Sequence, residues 1–480
     1  MRSVVQPWWQ RAVLYQVYIR SFADSDGDGV GDLRGIVERL DYLQWLGVDA
    51  LWLSPVTVSP DKDWGYDVAD YTDVQPVFGD LPALDELVSQ AAARDMRVVV
   101  DIVPNHTSDR HPWFEESRSS RDSPRRDWYV WADPKPDGSP PNNWRSTFLG
   151  ASAWTLDDRT GQYYLHNFLP EQPDLNWWND DVRAAFDDIL RFWLDRGIAG
   201  FRIDVAHGIV KDRDLRDNPD PSVSTYNANR DDVHDVLRRW RRLVDGYDER
   251  VLLGETWVMD LQRLARFYGN GEDELHLAFN FPFTFSDLNA GQLRSVVETT
   301  ESLLPESAWP VWMLSNHDIV RFPTRMAGGD ERKARALLFV LFTLRGTPVL
   351  YYGDELGMPQ AEIPPGSERD MDGRDGARTP LPWNGGWQSP WLPLTADVAT
   401  VAAQRAGESS FLSYCRSLIA QRRANPDLVE GAYESLPSPA GVWGFRRGEH
   451  TRVAVNLTDD EAELEDGSRL APWQGVVQRR

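Results

Sequence analysis

The chain has 480 residues, of which 41% are hydrophobic and 26% charged, so its composition is that of a folded globular protein and not of a disordered one. Its net charge of −24 argues against a nucleic-acid partner and against binding to an anionic membrane. No segment approaches the roughly 18 apolar residues of a membrane-spanning helix. Cys415 is the single cysteine, which excludes an intrachain disulfide and favours a cytoplasmic location.

Eight short apolar segments follow one another along the chain, separated by amphipathic stretches. Most of them are too continuously apolar for one-sided strands, which is typical of parallel strands buried on both faces. Eight such strands with intervening helices predict an α/β fold, a closed (β/α)8 TIM barrel, with an open doubly wound sheet as the alternative. The segments are 13–19, 48–54, 97–103, 200–204, 251–255, 275–281, 311–315 and 348–353.

Helical periodicity fills the stretches between these segments. Three of the predicted helices end at Gly47, Gly197 and Gly346, and glycine is the preferred residue at helix C-termini. Residues 409–428 predict the last helix of the barrel. The clearest of the earlier helices are predicted at 33–47, 81–95, 180–197 and 330–346.

Two parts of the chain do not follow this repeat. Residues 104–170, after the third strand, are rich in Trp, Pro, Arg, Asp and Ser and are too long for an ordinary loop, so they predict an inserted subdomain. Residues 429–480 contain short strand-like segments and predict a small C-terminal antiparallel β domain. The barrel itself would then consist of residues 1–103 and 171–428.

An acidic loop follows the first predicted strand. Its aspartates alternate with small residues, and a main-chain carbonyl falls between them; the candidate ligands are Asp24, Asp26, Asp28, the carbonyl of Val30 and Asp32. Oxygen atoms at every second position, with glycines that allow tight turns, suit a hard divalent cation. The loop therefore predicts a structural Ca²⁺ site, with Mg²⁺ or a metal-free acidic turn as the alternatives.

Polar residues are concentrated where the predicted strands end, which in a TIM barrel is the active-site face. Three carboxylates from different strands would converge there on one pocket. These strand-end residues are Asp101, Asn105 and His106 after the third strand, Arg202 and Asp204 at the fourth, Glu255 at the fifth, and Asn316, His317 and Asp318 after the seventh.

Two of these carboxyl groups have surroundings that suggest different protonation states. Arg202 lies two residues before Asp204 on one strand, so we expect it to lower the pKa of Asp204 and to keep that carboxylate ionised. Glu255 lies between Gly254 and a nearby tryptophan, where desolvation would raise its pKa and let it hold a proton. One charged and one protonated carboxyl group form the pair that cleaves glycosidic bonds.

Several of these segments resemble sequence regions of the alpha-amylase superfamily of retaining glycoside hydrolases, in its α-glucosidase and oligo-1,6-glucosidase branch. The resemblance extends over nearly the whole chain in matching order and implies a catalytic barrel, an inserted domain, a C-terminal β domain and a covalent glucosyl-enzyme intermediate. The segments are GVDALWLSP (47–55), DIVPNH (101–106), QPDLNW (172–177), GFRIDVAH (200–207), GETW (254–257) and SNHD (315–318).

The resemblance also implies roles for individual residues. Asp204 would be the nucleophile, Glu255 the general acid/base, and Asp318 the third carboxylate, which holds sugar hydroxyls. Asp67, with Tyr66, would close the non-reducing end of the pocket, which makes the enzyme exo-acting, and Arg374 is expected to pair with Asp67. The acidic loop resembles the calcium loop of oligosaccharide-cleaving glucosidases. The implied substrate contacts are Tyr66, Asp67, His106, Phe148, Phe168, Gln172, Arg202, His317 and Arg374.

The sequence thus predicts an exo-acting, retaining α-glucosidase for short α-glucosides, without an organic cofactor, as a monomer or homodimer. Val205, directly after the nucleophile, favours α-1,6 linkages within this branch. One alternative is an α-glucosyltransferase or sugar isomerase that uses the same covalent intermediate. A second alternative is a non-catalytic relative, against which the three retained carboxylates argue.

Overall fold

The computed structural model describes residues 6–479, and a sheet of eight parallel strands forms its centre. The strands are β1 Leu14–Val17, β2 Ala50–Leu53, β3 Arg97–Ile102, β4 Gly200–Ile203, β5 Val251–Gly254, β6 Leu277–Ala278, β7 Val311–Met313 and β8 Thr347–Tyr351. Their order in the sheet is β6-β5-β4-β3-β2-β1-β8-β7. A parallel bridge between Phe279 and Val311 joins the two edges of this sheet. The closed barrel predicted from the sequence is confirmed, and the open sheet is wrong.

Both faces of the barrel strands are buried, which explains their continuously apolar sequences. In β2, Ala50 and Trp52 belong to the cluster that fills the inside of the barrel, together with Leu14 of β1. The alternate residues of β2, Leu51 and Leu53, belong to the larger core between strands and helices. Successive side chains of a strand point to opposite faces, so one strand contributes to both cores.

Helices surround the barrel and follow the predicted periodicity, with differences at their ends. The predicted helix at 33–47 is divided at Arg39, and Gly47 ends its second half in the left-handed conformation with φ 102°. Gly346 does not cap its helix, because Leu344 ends that helix in an extended conformation that leads into β8. The α-helices are Trp8–Arg11, Leu33–Glu38, Leu40–Leu46, Leu81–Ala92, Pro112–Ser117, Asp180–Asp195, Val233–Val244, Leu261–Arg266, Phe281–Thr284, Ala290–Leu303, Phe322–Arg325, Glu331–Thr343, Val401–Ala406, Phe411–Ala424 and Pro426–Glu430, and 3-10 turns lie at Ile19–Ser21, Pro76–Phe78, Arg126–Trp128, Asp354–Leu356 and Arg374–Ala377.

The insertion after β3 contains a three-stranded antiparallel sheet, and a short two-stranded sheet follows β2. Trp144 and Trp154 are buried at the centre of a small separate core in the insertion. The predicted inserted unit is therefore present, while its boundaries at 104 and 170 stay predictions. The strands outside the barrel are Trp131–Ala132, Trp154–Asp157 and Gln162–Leu165 in the insertion, and Thr57–Val58 with Asp70–Val74 after β2.

The C-terminal part is the predicted small antiparallel β domain. It has a four-stranded sheet of β9 Tyr433–Leu436, β10 Val442–Arg447, β11 Thr451–Asn456 and β12 Gly475–Arg479, and a two-stranded hairpin of Ala462–Glu463 with Arg469–Leu470. The buried Arg447 donates to the carbonyl of Thr343, which ties this domain to the end of a barrel helix. In residues 6–479, no helix has the length and apolar character needed to cross a bilayer.

Candidate active site

A single buried guanidinium lies at the centre of the barrel's carboxyl end. Nη1 of Arg202, in β4, lies 2.7 Å from Oδ1 of Asp101 in β3 and 2.7 Å from Oδ1 of Asp204, which directly follows β4. Its Nη2 lies 2.9 Å from Oε1 of Glu255, which directly follows β5. The ends of three neighbouring parallel strands therefore bring these carboxylates together, as their positions in the sequence predict.

Asp318, which follows β7, has a different set of partners. Its Oδ1 accepts from Nη1 of Arg374 and from Nη2 of Arg378, both at 3.1 Å. Its Oδ2 lies 3.2 Å from Nε2 of His317. Arg374 begins the 3-10 turn Arg374–Ala377, and Arg378 directly follows this turn. Asp318 is thus held by cations on a loop that follows β8.

Asp370 fixes both of these arginines and was not among the residues predicted from the sequence. Its carboxylate accepts from Nε and Nη2 of Arg374 at 3.0 and 2.6 Å, and from Nη1 of Arg378 at 3.3 Å. This bidentate pair fixes the plane of the Arg374 guanidinium. The sequence offered one signal for this contact, since Asp370 lies four residues before Arg374 and eight before Arg378.

The predicted pair between Asp67 and Arg374 is wrong. Nη2 of Arg374 donates to Oδ1 of Asp63 at 2.6 Å, and Gln172 donates to the other oxygen of Asp63 at 2.9 Å. Asp67 is fully buried, and its carboxylate accepts from Ser59 and from the main-chain N–H groups of residues 62 and 63. Asp67 therefore stabilises its own loop, and the loop turns Asp63 toward the arginine.

Tyr66 and His317 lie against each other beside the carboxylates. Their rings are stacked with centroids 5.2 Å apart and an angle of 6° between planes. The hydroxyl of Tyr66 donates to Asp101 at 3.1 Å, and Nδ1 of His317 contacts Gln16 at 2.8 Å. Both side chains are fixed by packing and hydrogen bonds, so the floor of the site is preorganised.

The inserted unit and the loops near it contribute the aromatic side of the pocket. His106 lies 3.0 Å from the amide nitrogen of Gln172, and its ring is 5.3 Å from that of Phe168. Phe148 lies 5.3 Å from Phe168, and the guanidinium of Arg374 is 4.8 Å from the Phe148 ring. With Asp63 in place of Asp67, the structure brings the predicted substrate-contact residues together.

Lys211 is a buried cation that no sequence motif indicated. Its Nζ lies 2.9 Å from Oδ2 of Asp174 and donates to the carbonyl of Ile209 and to the side chain of Asn105. Asn105 in turn contacts the ring of His106 at 2.9 Å. The lysine thus holds the loop after β3 and the segment after the insertion around the histidine.

The pKa values of the two central carboxyl groups differ from the sequence-based expectation. Burial raises the pKa of Asp204 well above its usual value, and Arg202 opposes this effect without overcoming it. Burial likewise raises the pKa of Glu255, against the effect of Arg202. The expectation that Arg202 keeps the pKa of Asp204 low is therefore wrong. One guanidinium cannot balance the charges of Asp101, Asp204 and Glu255 in a desolvated site, so the uncharged forms of Asp204 and Glu255 are more favoured here than in water.

Asp318 shows the opposite behaviour. Burial raises its pKa, but His317, Arg374 and Arg378 together outweigh burial and hold the pKa well below the usual value. Burial lowers the pKa of His317 to about 3. At neutral pH Asp318 is therefore a permanent anion beside a neutral histidine, which suits the binding of sugar hydroxyls.

Val205 adopts a strained backbone conformation directly after Asp204. Its φ is +45°, a region that β-branched residues rarely occupy. In this conformation its N–H donates to Oε2 of Glu255 at 2.9 Å. The strain thus aims a backbone donor at the second oxygen of Glu255.

The acidic loop brings together three of its predicted ligands. Asp24, Asp26 and Asp28 each place a carboxylate oxygen within 4.8 Å of the others. Asp32 does not belong to this group; it accepts from Ser25 and caps the helix Leu33–Glu38. Three carboxylates on a glycine-bent loop supply oxygen ligands of the kind that a hard divalent cation takes.

A parallel barrel whose strand ends present three carboxylates around fixed arginines defines a glycosidase-type site. Residues 16–431 match the family model "Alpha amylase, catalytic domain", and the chain belongs to the alpha-amylase family. It is 42% identical to a probable alpha-glucosidase of Rhizobium meliloti, over 98% of this chain and 94% of the relative. It is 36% identical to an oligo-1,6-glucosidase of Heyndrickxia coagulans, over 95% and 93% of the two chains. The crystal structure of an alpha-glucosyl transfer enzyme superposes with a TM-score of 0.94 at 40% identity and covers 99% of this chain and 100% of that chain.

We predict that Asp63→Ala lowers kcat/KM for an aryl α-glucoside by about 100-fold or more, because it removes a charged partner of Arg374 and Gln172. Asp67→Asn should lower the free energy of unfolding by about 1–2 kcal/mol while kcat/KM changes by less than about fivefold. Steady-state kinetics and urea denaturation of both variants measure these effects. Loss of activity in Asp67→Asn together with normal activity in Asp63→Ala would restore the pairing expected from the sequence.

Proposed function

We propose that the protein is an exo-acting, retaining α-glucosidase that hydrolyses short α-glucosides, namely oligosaccharides, disaccharides or aryl and alkyl glucosides. The observation that carries this proposal is the shared contact of Asp204 and Glu255 with one guanidinium, through Nη1 and Nη2 of Arg202. Retaining glycosidases hold their two carboxyl groups about 5–5.5 Å apart, and inverting ones about 6.5–9.5 Å apart. Because Asp204 and Glu255 both contact Arg202, their arrangement favours the shorter spacing, which is that of a retaining enzyme.

The reaction would proceed in two displacements. Oδ1 of Asp204 is held by Arg202, so Oδ2 attacks the anomeric carbon while Glu255 donates its proton to the glycosidic oxygen. The glycosidic bond breaks, the alcohol leaves, and glucose remains as an ester on Asp204. Glu255, now ionised, removes a proton from water, which attacks the anomeric carbon and releases glucose with its configuration retained.

The ion pair between Arg374 and Asp63 supports exo-action. It lies at the part of the pocket formed by Phe148, His106 and Gln172. A buried pair with fixed donors and acceptors recognises the hydroxyls of a terminal glucose and blocks a longer chain. The preference for α-1,6 linkages, which rests on Val205, stays a prediction.

A second candidate function is glucosyl transfer with the same covalent intermediate. The likeness to the alpha-glucosyl transfer enzyme favours it. A panel of α-1,1, α-1,2, α-1,3, α-1,4 and α-1,6 diglucosides and sucrose, followed by chromatography, separates the two candidates. Free glucose as the main product supports hydrolysis, whereas new disaccharides support transfer or isomerisation.

The covalent step makes a direct prediction. A slow-turnover fluorinated α-glucosyl substrate should label Asp204, as peptide mass mapping detects, and Asp204→Asn should lower kcat by about 10⁴-fold or more because the nucleophile is lost. The exposed Asp214→Asn is the matched control and should keep wild-type activity. Labelling of another side chain, or equal rates in Asp204→Asn and wild type, would contradict the mechanism.

The proton on Glu255 predicts a pH dependence. Because burial raises its pKa, Glu255 keeps its proton to a higher pH than a free carboxyl group does, and kcat/KM should fall as the pH rises through that pKa. Glu255→Gln should slow an alkyl glucoside by about 10³-fold but an activated aryl glucoside by much less, since a good leaving group needs little protonation. In Glu255→Gln, the fall of kcat/KM with rising pH should also disappear for the aryl substrate. Equal losses on both substrates would argue against the acid role.

The acidic loop would hold a structural Ca²⁺ through Asp24, Asp26 and Asp28. The main chain of this loop contacts the segment before the last barrel helices, where the N–H of Trp391 donates to the carbonyl of Gly29. A bound cation would stiffen this contact and supply no chemistry to the reaction. The cytoplasmic location, the absence of an organic cofactor and the monomeric or homodimeric state remain predictions from the sequence.

Removal of the cation provides a test. Chelation should lower the midpoint temperature of thermal unfolding, and excess Ca²⁺ should restore it. At a Ca²⁺ concentration a hundredfold above Kd, binding should raise the free energy of unfolding by about 2–3 kcal/mol. Mg²⁺ should restore less, because it requires a smaller octahedral site. Asp26→Asn with Asp28→Asn should abolish the response. A midpoint of thermal unfolding that changes with neither chelator nor Ca²⁺ would contradict the metal site.

A further inference from the structure

We infer that Trp391, on the loop after β8, is a positioning residue that holds the groups recognising the terminal glucose in a fixed arrangement. The inference rests on the proposed α-glucosidase function and adds a residue that acts through the pocket side chains. Trp391 is half-buried, and its contacts lead to Asp63 and Arg374, which pair across the pocket, and to His317, which lies beside Asp318.

The first contact of Trp391 is with the loop that carries Asp63. Its ring lies 4.9 Å from the ring of Trp64, the residue directly after Asp63. Trp64 has a φ of +51°, in the left-handed region that large side chains rarely occupy. Such a conformation costs about 1–3 kcal/mol and persists only where the surrounding structure holds it. The indole of Trp391 holds it together with the guanidinium of Arg20, which lies 5.4 Å from the Trp64 ring.

The second contact of Trp391 begins a row of stacked rings that leads into the active site. Trp391 stacks on Tyr18 with ring centroids 6.2 Å apart, and Tyr18 stacks on His317 at 5.9 Å. His317 in turn stacks on Tyr66. Because Tyr66 and Trp64 belong to one loop, the row returns to the loop that Trp391 already contacts. Loss of the Trp391 ring would therefore loosen this loop at two places.

Polar groups of Trp391 connect it to the arginines of the site. Its Nε1 donates to Oγ of Ser21 at 2.8 Å, and the same hydroxyl donates to the carbonyl of Arg378. The carbonyl of Trp391 accepts from Nε of Arg369 at 3.3 Å, one residue before Asp370. Asp370 is the carboxylate that fixes both arginines. One tryptophan thus contacts the segment 369–378 near both of its ends.

The recognition of a sugar explains why these two regions need a common contact. Asp63 and Arg374 lie on loops after β2 and β8, 311 residues apart in the chain. Hydrogen bonds to hydroxyl groups depend on distances of a few tenths of an ångström, so the two loops must keep a fixed relation. Trp391 contacts the first loop through its ring and the second through its main chain, and so it fixes both beside the pair.

The test begins with substitutions of Trp391. Trp391→Ala should lower kcat/KM for 4-nitrophenyl α-glucoside by about 20- to 50-fold, because the Asp63–Arg374 pair loses its fixed position. Trp391→Phe retains a ring and should stay within about fivefold of the wild type. The matched control is Trp387→Ala, because Trp387 is a half-buried indole of the same loop that donates to the carbonyl of Leu381 at 2.9 Å. This control should stay within about threefold of the wild type.

A double-mutant cycle separates positioning from general packing. In an Asp63→Ala enzyme, Trp391→Ala should cost less than about fivefold more, because the carboxylate through which it acts is already missing. A tryptophan that only stabilises the fold would cost the same factor with and without Asp63. Equal factors in the two backgrounds, or wild-type activity in Trp391→Ala, would overturn the inference.

Trp64→Gly tests the same contact from the other side and does not depend on the folding of Trp391→Ala. Glycine adopts a positive φ without strain, so a loss of activity reports the missing ring contact. We expect a loss of about 10-fold in the wild type and of less than about threefold in Asp63→Ala. Wild-type activity in Trp64→Gly would also overturn the inference, while glucose release still supports the α-glucosidase. Failure of the wild type to release glucose from any α-glucoside would instead contradict the proposed function.

Discussion

The desolvated guanidinium of Arg202 is the interaction on which the site depends. A cation buried at the end of a barrel is stable only when carboxylates surround it, and three strand ends supply Asp101, Asp204 and Glu255. Their number exceeds its charge, and burial raises the pKa of both Asp204 and Glu255. The desolvation that requires carboxylates around Arg202 therefore also favours the protonated form that an acid catalyst needs. When a substrate arrives, the proton has to reside on Glu255 for Asp204 to attack.

Asp318 has the opposite charge balance, although it lies in the same pocket. Arg374 and Arg378 both donate to it, and Asp370 holds those arginines in place. Its pKa is held low, so it remains an anion through the reaction. Residues of one type thus acquire different roles through the number of cations that each contacts, which is a property of the folded site and not of any residue alone.

The sequence predicted the barrel because β2 and its neighbours are apolar on both faces, and it predicted the central carboxylates because they end those strands. It misidentified the partner of Arg374, since Asp63 and Asp67 lie in one loop and only the folded loop determines which carboxylate turns inward. It also missed the direction of the Asp204 pKa shift, because a pattern of residues names the nearest cation but does not count the competing anions. The contacts of Trp391 could not be inferred either, because they join segments that lie far apart in the sequence.

The backbone between the two catalytic strands explains why their carboxyl groups keep a fixed relation. The N–H of Ala206 donates to the carbonyl of Glu255 at 3.0 Å, and the N–H of Glu255 donates to the carbonyl of Ile203 at 2.9 Å. With the bond from Val205 to the Glu255 side chain, the ends of β4 and β5 form one rigid unit. The left-handed conformation of Val205 is unfavourable by itself, and these hydrogen bonds hold it in place. Gly208 leaves room for the Val205 side chain, because a Cβ at position 208 would lie 2.7 Å from Val205 Cγ1. The main chain therefore fixes the nucleophile and the acid relative to each other before any sugar binds, which is the preorganisation that a two-carboxyl mechanism needs.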